Sequence, residues 1–360
     1  MRVLISGGGT GGHIFPALAV ARALAELEPT VQLLYVGREG GMEERLVPAQ
    51  GLDLETLRIR GVQPEPWRNL PLVYGLPAAV AGAMRVVGRF RPDAVFGTGG
   101  YVVGPVGMAA WLRRVPLVLQ LPDAVPGRTI RALAPRARAV CVAFESSAER
   151  LSGRTVVTGT PVRPEFAAEG QAHRSRPGGG GGFRLAVFGG SQGAHRLNTA
   201  VAEGLKALLE MPGVTVHHVC GEPDHGQLRA MRSGLDEEVR ERYTVEPFSD
   251  AMPELLASAD LVVARAGGSA IAEMTAVGVP MVLVPYPYAG GHQRLNAEPV
   301  ERAGGAVIVP DQEFSGVRLV EVVRRLVSDP SRLASMAAAS LAYGRPDAAE
   351  AVARVILEVA

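Results

Sequence analysis

Two glycine-rich segments, about half a chain apart, set the strongest limit on how this sequence can fold. The first, Gly7-Gly8-Gly9-Thr10-Gly11-Gly12-His13, follows the apolar run Val3-Leu4-Ile5. The second, Gly189-Gly190-Ser191-Gln192-Gly193-Ala194, follows Leu185-Ala186-Val187-Phe188. Each then opens into a helical pattern. Glycine lets a backbone approach a ligand closely, and the helix behind it offers free N–H groups and a positive dipole end. One such loop suggests one phosphate site. Two, at the same place in successive α/β units, suggest twin domains facing one cleft.

The rest of the pattern agrees. In the first half, β-rich runs at 3–6, 32–36, 94–97, 117–120, 139–142 and 155–157 alternate with helical stretches such as 14–27, 42–49, 76–90 and 105–113. That alternation predicts a parallel, doubly wound sheet. It stops near Arg163 and restarts at Arg184, with strands expected at 184–188, 215–220, 244–247, 261–264, 281–284 and 306–308. The polar stretch between, ending in Gly178–Gly182, reads as a flexible linker. The expected division is 1–163, a linker at 164–182, a second domain at 183–340, and a terminal helix within 341–360. A chain of 360 residues is long for a single core, so two domains suit its length.

Composition narrows the class. Cys141 and Cys220 both lie in apolar runs and read as buried thiols in a reducing compartment. No signal peptide is expected, because the N-terminus runs straight into a strand. Apolar stretches are broken by Gly, Pro or Arg well short of a membrane span. The net charge of +1 conceals an asymmetry: up to Arg163 there are 19 arginines and no lysine against 12 acidic residues, a net of +7, which leaves −6 for the remainder. A basic half can dock on an anionic membrane or on nucleic acid, and it can also be ordinary surface variation.

The loops constrain the chemistry. Gly7-x-Gly9-x-x-Gly12 formally matches the dinucleotide fingerprint, but the acidic residue expected after the second strand is poorly placed: Val36 is followed by Gly37-Arg38-Glu39. His13, at the mouth of a helix, suits proton chemistry or an anionic ligand, or simply closes the turn. The second loop lacks Gly-Lys-Ser/Thr, which argues against an NTPase, yet its amides and hydroxyl suffice for a diphosphate. Asn198, one helical turn beyond His195, faces either the same cleft or solvent. Arg265-Ala266-Gly267-Gly268-Ser269-Ala270 begins another helix, and Glu273 in its first turns suits a ribose diol or the helix dipole. Gly291-His292-Gln293 marks a third such junction. Three loops thus bring polar groups to one sheet edge. There is no Asp-x-Asp, no ligand spacing among His and Cys, and His217-His218 point to opposite faces of a strand. No obligatory metal or other cofactor is expected. Neither is a Gly-x-Ser-x-Gly hydrolase elbow present.

Read together, several of these segments become a signature. Gly7–His13 with Pro16-Ala17-Leu18-Ala19, then Gly97-Thr98-Gly99-Gly100-Tyr101, Gly159-Thr160-Pro161-Val162-Arg163, Gly189–Ala194, Ala266–Glu273, and His292-Gln293 with Asn296-Ala297 occur in one order. The sequence closely resembles the MurG family of glycosyltransferase family 28, bacterial enzymes that convert lipid I to lipid II in peptidoglycan synthesis. The resemblance implies a GT-B fold: two Rossmann-like, doubly wound α/β domains facing a cleft. It implies an N-terminal domain that takes the acceptor and associates with membrane, and a C-terminal domain that binds UDP-N-acetylglucosamine. By matched position, Glu273 binds the ribose, and Ser191, Gln192 and Gly193 hold the diphosphate with support from Arg163. Gln293 contacts the sugar, the main chain at Phe248-Ser249 contacts uracil, and Gly268, Ser269 and Ala270 complete the donor site. Thr10, Gly11 and Gly12 line the junction of donor and acceptor. Gly99, Gly100, Tyr101, Gln120 and Asn198 are assigned to the acceptor. The terminal helix is expected to pack back on the first domain. Implied partners are the donor, undecaprenyl-linked lipid I, an anionic membrane surface at the cytoplasmic face, and other cell-wall synthesis proteins, but no nucleic acid.

One departure matters. Where the family usually has His-Glu-Gln-Asn before Ala-Val-Pro-Gly, this chain has Gln120-Leu121-Pro122-Asp123. Leu121 cannot accept a proton, so His13 or Asp123 becomes the expected base, and Asp123 also stands where an asparagine touches the donor sugar. Other readings remain open: another GT-B transferase with a lipid acceptor, a UDP-sugar epimerase of related fold, a nucleotide-sugar-binding protein without catalysis, or an NAD-dependent enzyme. Trp67, Leu70, Leu72, Val73, Tyr74, Leu76, Trp111 and Leu112, with Arg85, Arg89, Arg113 and Arg114, form a candidate membrane patch, or the apolar ones belong to the core.

Overall fold

A computed structural model describes residues 1–59, 70–174, 182–190, 193–288 and 291–360, with backbone only at 70–74, 173 and 174. The chain divides into two compact units, 1–163 with 346–360, and 164–345. Trp67, Ser191 and Gln192 lie outside the described residues, as do the side chains of Leu70, Leu72, Val73 and Tyr74.

The first unit is built on seven parallel strands: β1 (Arg2–Ser6), β2 (Gln32–Arg38), β3 (Asp53–Leu57), β4 (Ala94–Gly97), β5 (Leu117–Leu121), β6 (Ala139–Val142) and β7 (Thr155–Val157). They lie in the order β3-β2-β1-β4-β5-β6-β7. Its helices are α1 (Gly11–Leu27), α2 (Glu43–Leu46), α3 (Leu70–Phe90), α4 (Val103–Leu112), α5 (Arg128–Leu133) and α6 (Glu145–Ala148). The central strands are apolar on both faces because helices cover both. Leu4, Val95 and Leu119 pack toward α3 and α4 in one core. Their neighbours Val3, Ile5, Phe96 and Val118 pack toward α1 in another. Strand order reverses between β1 and β4, and in such sheets ligands bind at that switch point, beyond the carboxyl ends of the strands.

The second unit repeats the plan. Strands β8 (Phe183–Phe188), β9 (Val214–Val219), β10 (Tyr243–Glu246), β11 (Leu261–Ala264), β12 (Met281–Leu283) and β13 (Ala306–Ile308) form a parallel sheet in the order β10-β9-β8-β11-β12-β13. Its switch point falls between β8 and β11. The helices are α7 (Pro164–Arg174), α8 (His195–Leu209), α9 (Glu222–Ser233), α10 (Glu237–Arg240), α11 (Met252–Ser258), α12 (Gly268–Val277), α13 (His292–Arg302), α14 (Gly316–Val327) and α15 (Pro330–Tyr343). The buried stripe Leu319, Val322, Val323 and Leu326 of α14 closes over Leu197, Val201 and Leu205 of α8. The last helix, α16 (Ala348–Val359), returns to the first unit, where Val352, Ala353 and Ile356 pack with α1.

Three elements depart from the sequence expectation. Residues 164–174 are not linker but helix α7, packed on α11 and α12. Its composition is polar, yet Phe166 is fully buried, and that one aromatic anchor fixes the helix. Strand β3 was not expected because Asp-Leu-Glu-Thr-Leu mixes acidic residues with few β-formers; it is tolerated at a sheet edge. Helix α15 was not expected, although Asp329-Pro330 is a start signal: the Asp329 carboxylate accepts the Arg332 N–H at 2.9 Å with Pro330 in the first turn.

Candidate active site

In the first unit, the loops after β1 and β4 meet at the switch point. Gly99 and Gly100 have φ of +116° and +85°, which favours glycine. A Cβ on Gly100 would stand 2.2 Å from the Gly8 carbonyl oxygen, and one on Gly99 would stand 2.9 Å from His13 Nδ1. Only bare backbone lets both loops and the imidazole share this space. The Thr98 hydroxyl donates to the His13 carbonyl at 2.7 Å, and the Tyr35 hydroxyl donates to the Gly7 carbonyl at 2.9 Å. Thr10 stands before α1 in extended conformation with no side-chain cap, and its carbonyl accepts the His13 N–H at 3.1 Å. Tyr101 is exposed at the rim.

His13 lies in the first turn of α1, half-buried, with Nδ1 enclosed and lacking a hydrogen-bond partner. Burial lowers its pKa below the ordinary value. The Asp123 charge and a main-chain contact from Thr98 pull the other way without cancelling the shift. The imidazole is therefore neutral at neutral pH and able to accept a proton. Asp123, in the turn after β5, is half-buried, and its main-chain oxygen accepts from the Ser147 hydroxyl at 3.2 Å. Arg163 places its guanidinium over the Phe15 ring, 4.7 Å from the centroid.

Two acceptor assignments made from sequence are corrected. Gln120 is fully buried and donates through Nε2 to the Gly159 carbonyl at 3.0 Å, so it is not presented to an acceptor. Strand alternation turns it inward, on the same face as Val118. Its neighbour Leu121 points the opposite way, into the core with Ile130, Leu133 and Val142. Asn198 is also buried, and every polar contact it makes is internal. Its Nδ2 donates to the Cys220 carbonyl at 2.8 Å and to Asp224 at 2.7 Å. Its Oδ1 accepts from His218 Nε2 at 2.9 Å, and this fixes the tautomer. His218 Nδ1 then accepts from the Tyr243 hydroxyl at 3.1 Å. Asn198 thus ties the start of α8 to β9 and β10 instead of reaching a ligand.

Burial pushes the His218 pKa down to about 4; Asp224 opposes the shift and His217 adds to it. The folded pKa lies below the unfolded one. Stability from this group is therefore complete above about pH 6.5 and is lost as pH falls toward 4. The expected loss is about 3 kcal/mol. Urea unfolding from pH 7 to 4 should show that the slope of stability against pH is shallower in His218→Gln than in wild type. Equal slopes would remove His218 as the cause.

The second unit's loops follow the same logic. Gly190 and Gly193 have φ of +91° and +75°, and the Gly193 N–H closes a turn on the Gly190 carbonyl at 2.9 Å. That amide is satisfied within the loop, so Gly193 serves the turn and does not offer its own N–H to a phosphate. Helix α12 opens after Gly267 without a side-chain cap. Gly268 is buried, while Ser269, Ala270 and Glu273 are half-buried along its first turns. Gln293 holds two loops together: its Oε1 accepts the N–H groups of Ala266 at 3.2 Å and Tyr286 at 2.9 Å. Asn296, one turn further along α13, donates to the Ala266 carbonyl at 3.0 Å. In the sequence Asn296 stands within the signature, and its i+3 spacing from Gln293 is the signal that puts both on one helix face. Ser249 is buried beside a cleft of about 380 Å³ shared with His217, Glu169 and Glu254. Cys141 and Cys220 are buried thiols, pushed up to about 12 and about 11 by desolvation. Among the described residues, no group of three His, Cys, Asp or Glu side chains is arranged to hold a metal ion.

Comparison with known proteins places this architecture. The glycosyltransferase family 28 N-terminal domain matches residues 3–142, and the family 28 C-terminal domain matches residues 184–352. The chain belongs to glycosyltransferase family 28. A relative from Moorella thermoacetica, named as the UDP-N-acetylglucosamine--N-acetylmuramyl-(pentapeptide) pyrophosphoryl-undecaprenol N-acetylglucosamine transferase, is 45% identical, with 99% of each chain covered. One of the same name from Alkalilimnicola ehrlichii is 41% identical over 100% of this chain and 99% of the relative. The crystal structure of MurG from Acinetobacter baumannii superposes with a TM-score of 0.76 at 28% identity, covering 99% of both chains. A UDP-GlcNAc 2-epimerase from Neisseria meningitidis superposes at 0.71 with 14% identity, covering 100% of this chain and 99% of that one, and shares the fold alone. For a family 28 glycosyltransferase, two parallel-sheet α/β units with glycine loops at both switch points are the GT-B plan.

Proposed function

We propose that this protein transfers N-acetylglucosamine from UDP-N-acetylglucosamine to the C4 hydroxyl of N-acetylmuramic acid in undecaprenyl-diphosphate-linked lipid I, giving lipid II. The observation that carries the reading is the 45% identity, across 99% of both chains, to a relative bearing that name. The second unit takes the donor: the N-terminus of α12 and the loop after β8 face its diphosphate, and Glu273 its ribose. The first unit takes the acceptor at Gly99, Gly100 and Tyr101. The reaction is one inverting displacement. The acceptor oxygen attacks the anomeric carbon, the bond to the β-phosphate oxygen breaks, and UDP leaves with the electron pair. His13, neutral and enclosed, takes the hydroxyl proton. Leaving-group charge is met by oriented amides and the positive end of a helix dipole. Purified protein with labelled donor and a short-chain lipid I analogue should give acceptor-dependent transfer. Donor binding without transfer to this acceptor would overturn the assignment.

The acceptor's lipid requires a membrane surface. Among the described residues, no helix is long and apolar enough to cross a membrane. The reading is peripheral docking at the cytoplasmic face through the end of α4 and the adjoining side of α3. Leu76, Trp111 and Leu112 are 48%, 46% and 51% exposed. Arg136 lies over the Trp111 ring at 5.1 Å, and the Arg113 guanidinium lies against Gly88 of α3. Arg85 and Arg114 are exposed nearby, whereas Arg89 is paired with Glu55 and contributes less. Each free arginine is worth about 1 kcal/mol on anionic lipid. Arg113→Glu with Arg114→Glu should therefore weaken sedimentation with phosphatidylglycerol vesicles by more than tenfold. Unchanged sedimentation would dismiss the patch.

A further inference from the structure

Among the described residues, Glu43 is the acidic side chain with no solvent exposure. It opens α2, directly after β2, and reaches under the glycine loop that follows β1. Its Oε1 accepts the Gly9 N–H at 3.2 Å, and its Oε2 is enclosed without a hydrogen-bond partner. Three glycines make the space. A Cβ on Gly8 would stand 1.9 Å from Oε1, one on Gly41 would stand 2.0 Å from Oε2, and one on Gly37 would stand 2.9 Å from the Glu43 Cβ. Burying a carboxyl group in this way is costly, so a merely space-filling role would be served better by an apolar residue. The amide it takes belongs to the loop that leads into α1. The Thr10 carbonyl, next in the chain, accepts from His13 N at 3.1 Å and Ile14 N at 3.2 Å. Fixing Gly9 therefore fixes the turn from which His13 projects.

We propose that Glu43 is a positioning residue for the transfer: it fills the first glycine loop from beneath with an internal acceptor, so that this loop holds His13 instead of a substrate phosphate. The two loops look alike in sequence but divide the work. The amide a phosphate would seek at Gly9 is already taken by the protein's own carboxyl. This inference rests on the transfer reading above, and it assigns no contact between Glu43 and substrate.

The test uses the full chain with Glu43→Ala and Glu43→Gln, scored by donor Kd, acceptor KM, kcat and thermal unfolding. Donor binding counts the molecules with a folded second unit, and the amplitude of thermal unfolding counts those in which the first unit, which holds Glu43, is folded as well. In Glu43→Ala, kcat per donor-binding molecule should fall on the order of 10²-fold, the scale expected when a reacting group is misplaced by about 1 Å. Donor Kd should not change. Glu43→Gln keeps an acceptor oxygen for Gly9 and should recover most of the loss, and added formate should partly restore Glu43→Ala in a saturable way. Three outcomes overturn the proposal: wild-type kcat in Glu43→Ala; equal defects in both variants without formate rescue; or a fall in kcat matched by the loss of folded, donor-binding protein. If Glu43→Ala does not fold, Glu43→Gln decides by the same measure, since kcat below one-tenth of wild type in that variant also overturns it. Absence of turnover in the wild type overturns the transfer reading itself, an outcome visible before any variant is made.

Discussion

Replacing His13 with alanine is expected to lower kcat on the order of 10²–10⁴-fold, the usual contribution of a positioned general base. Donor affinity should be largely retained, because α12 and the loop after β8, proposed to hold the ribose and diphosphate, belong to the other unit. The pH profile gives the sharper result. Burial holds the His13 pKa below its ordinary value, and the Asp123 charge opposes that shift. The base form is lost only as pH falls through this lowered pKa, so activity should show an acidic limb below about pH 6.5. Asp123→Asn removes a charge that raises the pKa. The limb should therefore move to lower pH while turnover at pH 8 persists. If Asp123→Asn abolishes turnover at every pH and His13→Ala does not, the base is Asp123.

Asp311→Ala should destabilise the second unit by about 3–5 kcal/mol, the cost of stranding a buried charge. Arg265 follows β11, and its Nη1 bonds both the Val284 carbonyl at 3.0 Å and Asp311 at 2.5 Å. The two side chains are 10% and 14% exposed, so water cannot replace the lost partner. Tyr286 covers the guanidinium, 5.4 Å from its ring centroid. Arg265 stands directly before Ala266, which Gln293 and Asn296 grip, so the same change should loosen the start of α12 and weaken donor binding. Replacing both partners, Arg265→Met with Asp311→Leu, should recover much of the stability without recovering donor affinity. Urea unfolding followed by donor titration separates the two effects. A wild-type midpoint in Asp311→Ala would show that the pair contributes nothing.

How far the site could be read from sequence depends on how local each feature is. The central strands announced themselves because a strand buried on both faces is a continuous apolar run, and the loops because only glycine suits their backbone. Edge strand β3 and helix α7 were hidden for the opposite reason: each is polar and held by few buried side chains, Phe166 above all in α7. Gln120 and Asn198 sit at motif positions, and motif position alone suggested ligand contact. Their burial comes from strands and helices far away in sequence: Gly159 lies 39 residues beyond Gln120, and Cys220 lies 22 beyond Asn198.

By itself the sequence determined two α/β units, their parallel strands, the glycine loops that follow those strands, and the set of polar residues those loops can present; strand order then placed four of the loops at the two switch points. Periodicity and glycine placement are local properties, so they survive without a fold. Tertiary structure decided which of those polar groups stay available. It enclosed His13 Nδ1 and lowered the pKa of the imidazole, closed Asn198 into a network with His218 and Tyr243, turned Gln120 inward, and brought Glu43 beneath Gly9. Desolvation and hydrogen-bond partnership depend on neighbours that only the folded chain assembles, and these set the charge, direction and reach of every side chain in the site.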